Sequence, residues 1–179
     1  MNVGFDLDKI FVNFPLLIPS KVINWFYKEK SGASLKYRIP SRIEQIIRIF
    51  THYPVFRLPI NENIKYIRNL ASVNKDKYYL ISSRFGFLEK RTSAIVKRYK
   101  LDKLFNGMFF NYNNKQPHIF KNEVLKKLNL DMYIDDDIQL LEYLVDRNPK
   151  TKFFWLNNKV SKQLNKNLFA IKNIAEMFK

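Results

Sequence analysis

Along most of this chain, short apolar runs alternate with longer stretches whose apolar residues recur every three or four positions. Residues 2–7 (NVGFDL) are a short apolar run that ends in acids. A second run, YYLIS at 78–82, is built of β-prone residues, and GMFFNY (107–112), DMYID (131–135) and TKFFWL (151–156) follow. Runs of this length and composition predict buried strands. LFAI at 168–171 predicts a further short strand, at a sheet edge.

Between these runs the period is helical. Asn61 can cap a helix reaching to about Ser72, with Ile64, Ile67, Leu70 and Ala71 on one face. Residues 86–99 predict another, with Leu88, Ile95 and Val96 inward. The stretch 118–129 offers Val124, Leu125 and Leu128 to a core, and 138–147 offers Ile138, Leu141 and Leu144. Strands alternating with helices of this length predict an α/β domain: a Rossmann-like three-layer sandwich with a mainly parallel sheet.

Residues 14–58 break the alternation. They hold no clear strand and read as helices near 20–30 and 41–50, with Pro15, Pro19, Pro40 and Pro54 marking breaks. The expected organisation is a core of 1–13 and 59–179 and a small helical insertion at 14–58 over the sheet's C-terminal edge. The insertion carries Lys21, Lys28, Lys30, Lys36, Arg38, Arg42, Arg48 and Arg57 against Glu29 and Glu44. Neither an internal repeat nor a low-complexity linker is evident.

Composition narrows the class. The 179 residues fit one domain, 46% are hydrophobic and 16% aromatic, so an aromatic-rich core is expected. The absence of cysteine excludes disulfides, thiolate metal sites and a thiol nucleophile. No run approaches the ~18 apolar residues of a membrane span, and Asp6 and Asp8 interrupt any signal peptide. The expectation is a cytoplasmic protein with no membrane partner. Net charge is +16. Such a balance suits phosphorylated substrates or nucleic acid, but Lys, Asn, Ile, Tyr and Phe are enriched together, as a low-GC genome produces.

The placement of the acids changes the picture more than their number. Eight of the sixteen fall in two short segments: Asp6 and Asp8, then Asp131, Asp135, Asp136, Asp137, Glu142 and Asp146. In an extended segment, residues two apart face the same way, so Asp6 and Asp8 leave a strand end together. Ligands of open α/β sheets bind at that end. Two such charges require a cation or a shared proton. Asp135, Asp136 and Asp137 repeat the pattern at another strand's exit. An all-oxygen donor set suits Mg²⁺ better than Zn²⁺. Asp137 also fits a helix cap. Ser82, with Ser83 and Arg84, follows a strand where a hydroxyl and turn amides can bind phosphate. Lys121 stands early in the helix that leads to the second acidic strand.

Taken in order, strand–DxD, strand–Ser, Lys, strand–DD resembles the four motifs of the haloacid dehalogenase (HAD) superfamily. The resemblance spans nearly the whole chain, and ISSR and IDDD look similar to its deoxyribonucleotidase-like branch, with 14–58 as its small helical cap. It implies a Mg²⁺-dependent phosphatase acting on a small phosphorylated substrate such as a nucleotide. In that scheme Asp6 is the nucleophile and Asp8 the acid–base. Ser82 and Lys121 stabilise the transferring phosphoryl group. Mg²⁺ is held by Asp6, the main-chain carbonyl of Asp8, and Asp135 or Asp136. Lys9 replaces the glycine common after the second Asp, and Ile10 replaces Thr or Val. Lys9 either contacts substrate phosphate or marks altered activity. Lys115 competes with Lys121 for the third motif.

Other residues have plainer readings. His52 and His118 lack metal-ligand spacing and read as core or surface histidines. Arg84 could clamp substrate phosphate or pair with an acid such as Glu89. Trp25, Phe26, Tyr27 and Tyr37 could stack on a base, or form the insertion's own core. Two alternatives stand beside the small-molecule phosphatase: a phosphatase of nucleic-acid ends, favoured by charge, and a catalytically weak binding protein, favoured by Lys9. A dinucleotide-binding dehydrogenase is disfavoured because no glycine-rich loop follows the first strand. A receiver domain would carry its phosphoacceptor later in the chain.

Overall fold

The computed structural model describes residues 1–14, 35–73, 75–157 and 159–178. The described residues form one seven-stranded sheet: β1 (Asn2–Phe5), β2 (Lys77–Ser82), β3 (Gly107–Phe110), β4 (Met132–Asp135), β5 (Lys152–Leu156), β6 (Lys162–Asn165) and β7 (Leu168–Ile171). Their order is β3-β2-β1-β4-β5-β7-β6. All neighbours are parallel except β6 and β7. The helices are α1 (Arg42–Thr51), α2 (Asn61–Val73), α3 (Glu89–Arg98), α4 (Pro117–Leu128) and α5 (Ile138–Val145).

The period-two side-chain alternation of the strands builds two cores. Val3, Phe5, Leu80, Met132 and Ile134 face one side, packed with Ile64 and Ile67 of α2 and Ile95 and Val96 of α3. Ile81, Tyr133, Phe153 and Leu168 face the other, against Phe120, Val124 and Leu125 of α4 and Leu140, Leu141 and Leu144 of α5. That is the expected three-layer α/β sandwich. Gly4 lies in β1, where a Cβ would stand 2.5 Å from Leu130 Cδ1 and 2.9 Å from Tyr133 Cδ2, so any side chain there would force Leu130 and Tyr133 to shift.

Several boundaries move. The strand expected at 2–7 ends at Phe5, that at 107–112 ends at Phe110, and the helix expected to 147 ends at Val145. LFAI is not an edge strand: β7 lies between β5 and the antiparallel β6. KQLN, fully exposed, forms the true edge, and its polar sequence carries no strand period. Ala71 is exposed rather than inward, as are Ser72 and Val73 beside it in the last turn of α2.

The chain crosses out of and back into the core at one place. Val12 and Pro59 form an antiparallel bridge. Asn13 N–H donates to Leu58 O at 2.8 Å, and Ile60 N–H to Phe11 O at 2.8 Å. Between these points, Ser41 and Glu44 close a reciprocal capping box at the start of α1. The helix predicted near 20–30, with Lys21, Lys28, Lys30, Glu29, Trp25, Phe26 and Tyr27, lies outside the described residues. α1 buries Glu44 and Arg48 and exposes Ile43, Ile46, Ile47 and Phe50.

Candidate active site

The parallel strands bring the two acidic segments together. β1 and β4 are hydrogen-bonded neighbours in the middle of the sheet, so Asp6 and Asp135 leave adjacent strand ends in the same direction. Asp6 N–H donates to Ile134 O at 3.0 Å, which continues the ladder one residue past β1. Beyond it the chain turns sharply: Asp8 N–H donates to Asp6 Oδ2 at 2.9 Å, and Lys9 N–H to Val12 O at 2.8 Å. The turn needs a left-handed residue, and Lys9 supplies it at φ 59°. The side chain adapts by pairing with Asp136 at 2.6 Å.

Lys121 sits between the two strand ends. Its Nζ is 2.7 Å from Asp6 Oδ1 and 2.6 Å from Asp135 Oδ2, and all three residues are buried. Tyr133 OH donates to Asp135 Oδ2 at 2.8 Å, and Asp137 N–H donates to Asp135 Oδ1 at 3.1 Å. Lys115, the rival lysine, makes an exposed pair with Glu123 and plays no part here. Asp137 caps α5 through Gln139 N–H, as its sequence position suggested, and its other oxygen accepts from Tyr37 OH at 2.8 Å.

Asp6, Asp135 and Asp136 each offer a carboxylate oxygen within 4.8 Å of one another. Asp8 is not in that cluster. Arg84 grips its carboxylate as a fork, Nε to Oδ2 at 2.9 Å and Nη2 to Oδ1 at 2.7 Å, and Arg57 also donates to Oδ1. Arg84 therefore pairs with Asp8 and not with Glu89. The sequence reading gave Arg57 no role. A single cation amid apolar Val55, Phe56 and Leu58 was the available hint.

Electrostatics follow from this arrangement. Burial pushes the Asp6 carboxyl from 3.8 up to about 8; Asp135 and Asp8 push the same way, against Lys121. Burial and then Asp135 raise Asp136 to about 6, with Lys9 opposing. Burial alone would raise Asp8, but Arg57 and Arg84 outweigh it and hold its carboxyl far below the usual range. Lys121 stays protonated: burial works against its charge, but Asp135 and Asp6 outweigh it. A cluster of acids this reluctant to ionise is one that a divalent cation would relieve. Its all-oxygen donors fit Mg²⁺.

These groups line one cavity of about 290 Å³. Ser82, Ser83 and Arg84 form one wall. Lys9, Phe14 and Trp155 line it as well, with Tyr37, Arg48 and His52 from the segment between β1 and α2. His52 is buried, with Nδ1 2.7 Å from Arg48 O. Burial, then Arg57 and Arg84, hold its pKa well down, so it is a neutral wall residue. His118 is buried beside Tyr37 and Tyr143, a core histidine as expected.

No protein-family model and no curated protein sequence matches the chain. Solved structures do. A HAD-like hydrolase from Streptococcus pneumoniae superposes with a TM-score of 0.60 at 14% identity, over 99% of this chain and 96% of that one. The fold is haloacid dehalogenase-like. A HAD family enzyme from Bacteroides thetaiotaomicron, a mutant in complex with magnesium and inorganic phosphate, shares it at TM-score 0.58 and 15% identity, covering 99% and 98% of the two chains. A chain of the Pnkp1/Rnl/Hen1 RNA repair complex also matches, at TM-score 0.54 and 14% identity. The alignment covers 87% of this chain but 42% of that longer one. Within the HAD-like fold, the acidic cluster and Lys121 stand at the C-terminal ends of the sheet's central strands, where open α/β sheets bind ligands. No helix among the described residues is long and apolar enough to cross a membrane.

Proposed function

We propose that this chain is a Mg²⁺-dependent phosphomonoester hydrolase that works through an aspartyl-phosphate on Asp6. The observation that carries the reading is the convergence of Asp6, Asp135 and Asp136 around Lys121 at the ends of β1 and β4. Asp6, Asp135, Asp136 and the main-chain carbonyl of Asp8 would hold the metal, which offsets negative charge between nucleophile and substrate. Asp6 attacks phosphorus, and Asp8, ionised between Arg57 and Arg84, relays the proton of the substrate monoanion to the leaving oxygen. Asp8 then takes a proton from the water that releases phosphate. Ser82 hydrogen-bonds the phosphoryl oxygens, Lys121 balances their charge, and Ser83 contacts the substrate phosphate, while Arg84 and Lys9, held by Asp8 and Asp136, add positive charge to the same cavity.

Residues 14–58 act as a small cap on a core of 1–13 and 59–179. The paired crossing at Val12 and Pro59 supports that division, as does the reach of Tyr37, Arg48 and His52 into the cavity. Aromatic Phe14, Tyr37 and Trp155 at the cavity favour a small substrate with a ring, such as a nucleotide, as in the deoxyribonucleotidase-like branch.

Phosphate release from a panel of nucleotides and sugar phosphates, with and without Mg²⁺, tests the reading. Mg²⁺-dependent release should fall more than about 10⁴-fold in Asp6→Asn. Activity that survives in Asp6→Asn would refute Asp6 as nucleophile. A second reading, a phosphatase of nucleic-acid ends, draws on the +16 charge and on the RNA repair neighbour. It requires preference for end-phosphorylated oligonucleotides and binding that weakens steeply with salt. A third, a binding protein with little turnover, draws on Lys9 in its left-handed turn. It requires Mg²⁺ and phosphate binding without release.

A further inference from the structure

We propose that Arg57 is a positioning residue for the acid–base carboxylate of Asp8, so that a residue outside the sheet and its flanking helices sets the geometry of proton transfer. The inference rests on the aspartyl-phosphate reading above and adds to it a residue that reading does not use.

The Asp8 backbone is fixed by its turn, but a carboxylate can still rotate about its side-chain bonds. Three N–H donors from two arginines stop that rotation. Arg84, two residues past Ser82, takes both oxygens as a fork, and Arg57 approaches Oδ1 as well. Arg57 is 1% exposed and comes from the segment that leads back into the core. Its own position is fixed twice. Tyr99, the C-terminal cap residue of α3, donates its hydroxyl to the Arg57 and Pro54 carbonyls, each at 2.8 Å. The Phe14 ring lies 5.4 Å from the Arg57 guanidinium.

A buried guanidinium is a poor way to stabilise a fold. An apolar side chain of similar volume would fill the same space at no desolvation cost. The charge at position 57 meets the Asp8 carboxylate. With Arg84 it places two positive charges against one negative. A phosphate ester monoanion can then approach Asp8 with little repulsion.

The two half-reactions separate Arg57's role from mere support. In the first, the Asp6–phosphorus bond forms as the ester bond breaks, and Asp8, a carboxylate held between two guanidiniums, relays the proton of the ester monoanion to the leaving oxygen. In the second, water attacks phosphorus and passes its proton to Asp8. The bond to Asp6 breaks, and phosphate leaves. Ester and water become alcohol and phosphate. A leaving group such as p-nitrophenolate needs no proton, so phosphoryl transfer from its ester to Asp6 survives a misplaced Asp8, while hydrolysis of the phospho-enzyme does not.

The test compares wild type, Arg57→Gln and Arg57→Lys on p-nitrophenyl phosphate and on an alkyl phosphate. Arg57→Gln should release a burst of p-nitrophenolate equal to the enzyme present and then turn over slowly. Its kcat on the alkyl ester should fall about 10²-fold with KM little changed. Arg57→Lys should recover part of the loss. Equal losses on both substrates with no burst, or a change under twofold, overturns the proposal. A thermal double-mutant cycle with Asp8→Asn reads the pair without turnover. The two single variants should lower Tm by amounts that do not add in the double variant, and additive shifts overturn the pair. An inactive wild type with non-additive shifts overturns the enzymatic reading and leaves the contact a structural one.

Discussion

The sheet and α1 follow opposite rules. In β1, β2 and β4 the apolar side chains are inside and charge appears where the strands end. In α1 the charged residues Glu44 and Arg48 are inside, and Ile43, Ile46, Ile47 and Phe50 are 49–73% exposed. Among the described residues, eight of thirteen exposed large apolar side chains lie between Ile39 and Leu58. In β1 and β4 packing and charge are separated along the strand: the middle packs and the acids stand at or just past the tip. Around α1 they are separated across a helix, with the polar face toward the cavity and the apolar face outward. A hydrophobic pattern therefore reports an amphipathic helix correctly without saying which face is the inner one.

The sharpest way to break this contrast is to truncate one aliphatic side chain in each region. Leu80→Ala, fully buried in β2, should lower unfolding free energy by about 2–5 kcal/mol in a urea titration. A loss below about 1 kcal/mol would mean the sheet is not the stabilising unit described.

The strand tips should respond to pH and metal together. The Asp6 carboxyl is raised above its ordinary 3.8, so the metal-free fold holds a proton there that the unfolded chain has released. Its contribution to stability therefore falls as pH rises from about 4 through about 8. Asp8, held down by Arg57 and Arg84, contributes the other way: its share is present above the usual Asp range and lost in acid. Saturating Mg²⁺ should raise Tm by about 5–10 °C at pH 8 and by less at pH 5.5, where protons compete for the carboxylates. A Tm increase that is flat across this range, read by differential scanning fluorimetry, would separate the metal from Asp6.

The smallest expected effect lies on α1. Ile46→Ser, at 67% exposure, should change stability by less than about 0.5 kcal/mol. A larger loss would show that the outer face of α1 is covered in solution, and the contrast between the two regions would then be one of partners rather than of rules.

Much of the fold was legible because the strands are short, apolar and parallel, so periodicity and order suffice. The edge was not. Lys162–Asn165 has no apolar alternation to read, because its side chains touch solvent and its partner β7 supplies the pairing. The candidate site was legible where its residues gather at strand ends. Asp6, Asp8, Ser82, Lys121, Asp135 and Asp136 were all named from order and spacing, and all line the one cavity. Arg57 and His52 were not, because tertiary contact across about fifty residues leaves no local period. The lysine in place of glycine after Asp8 posed a physical question that the structure answers. The tight turn persists, Lys9 takes the left-handed conformation at some backbone cost, and its amine pairs with Asp136.

The strand order has a consequence for biosynthesis. β1 is translated well before β2 and β4, the strands on either side of it, which begin at Lys77 and Met132. A ribosome-bound chain thus carries an apolar strand with no lateral partner until Lys77–Ser82 is made, and with only one until Met132–Asp135 follows. Non-local pairing of this kind slows folding and leaves strand edges open to aggregation meanwhile. The acids that meet at the cavity therefore come together late, and expression yield should depend on how well chaperones shield Val3 and Phe5 during that interval.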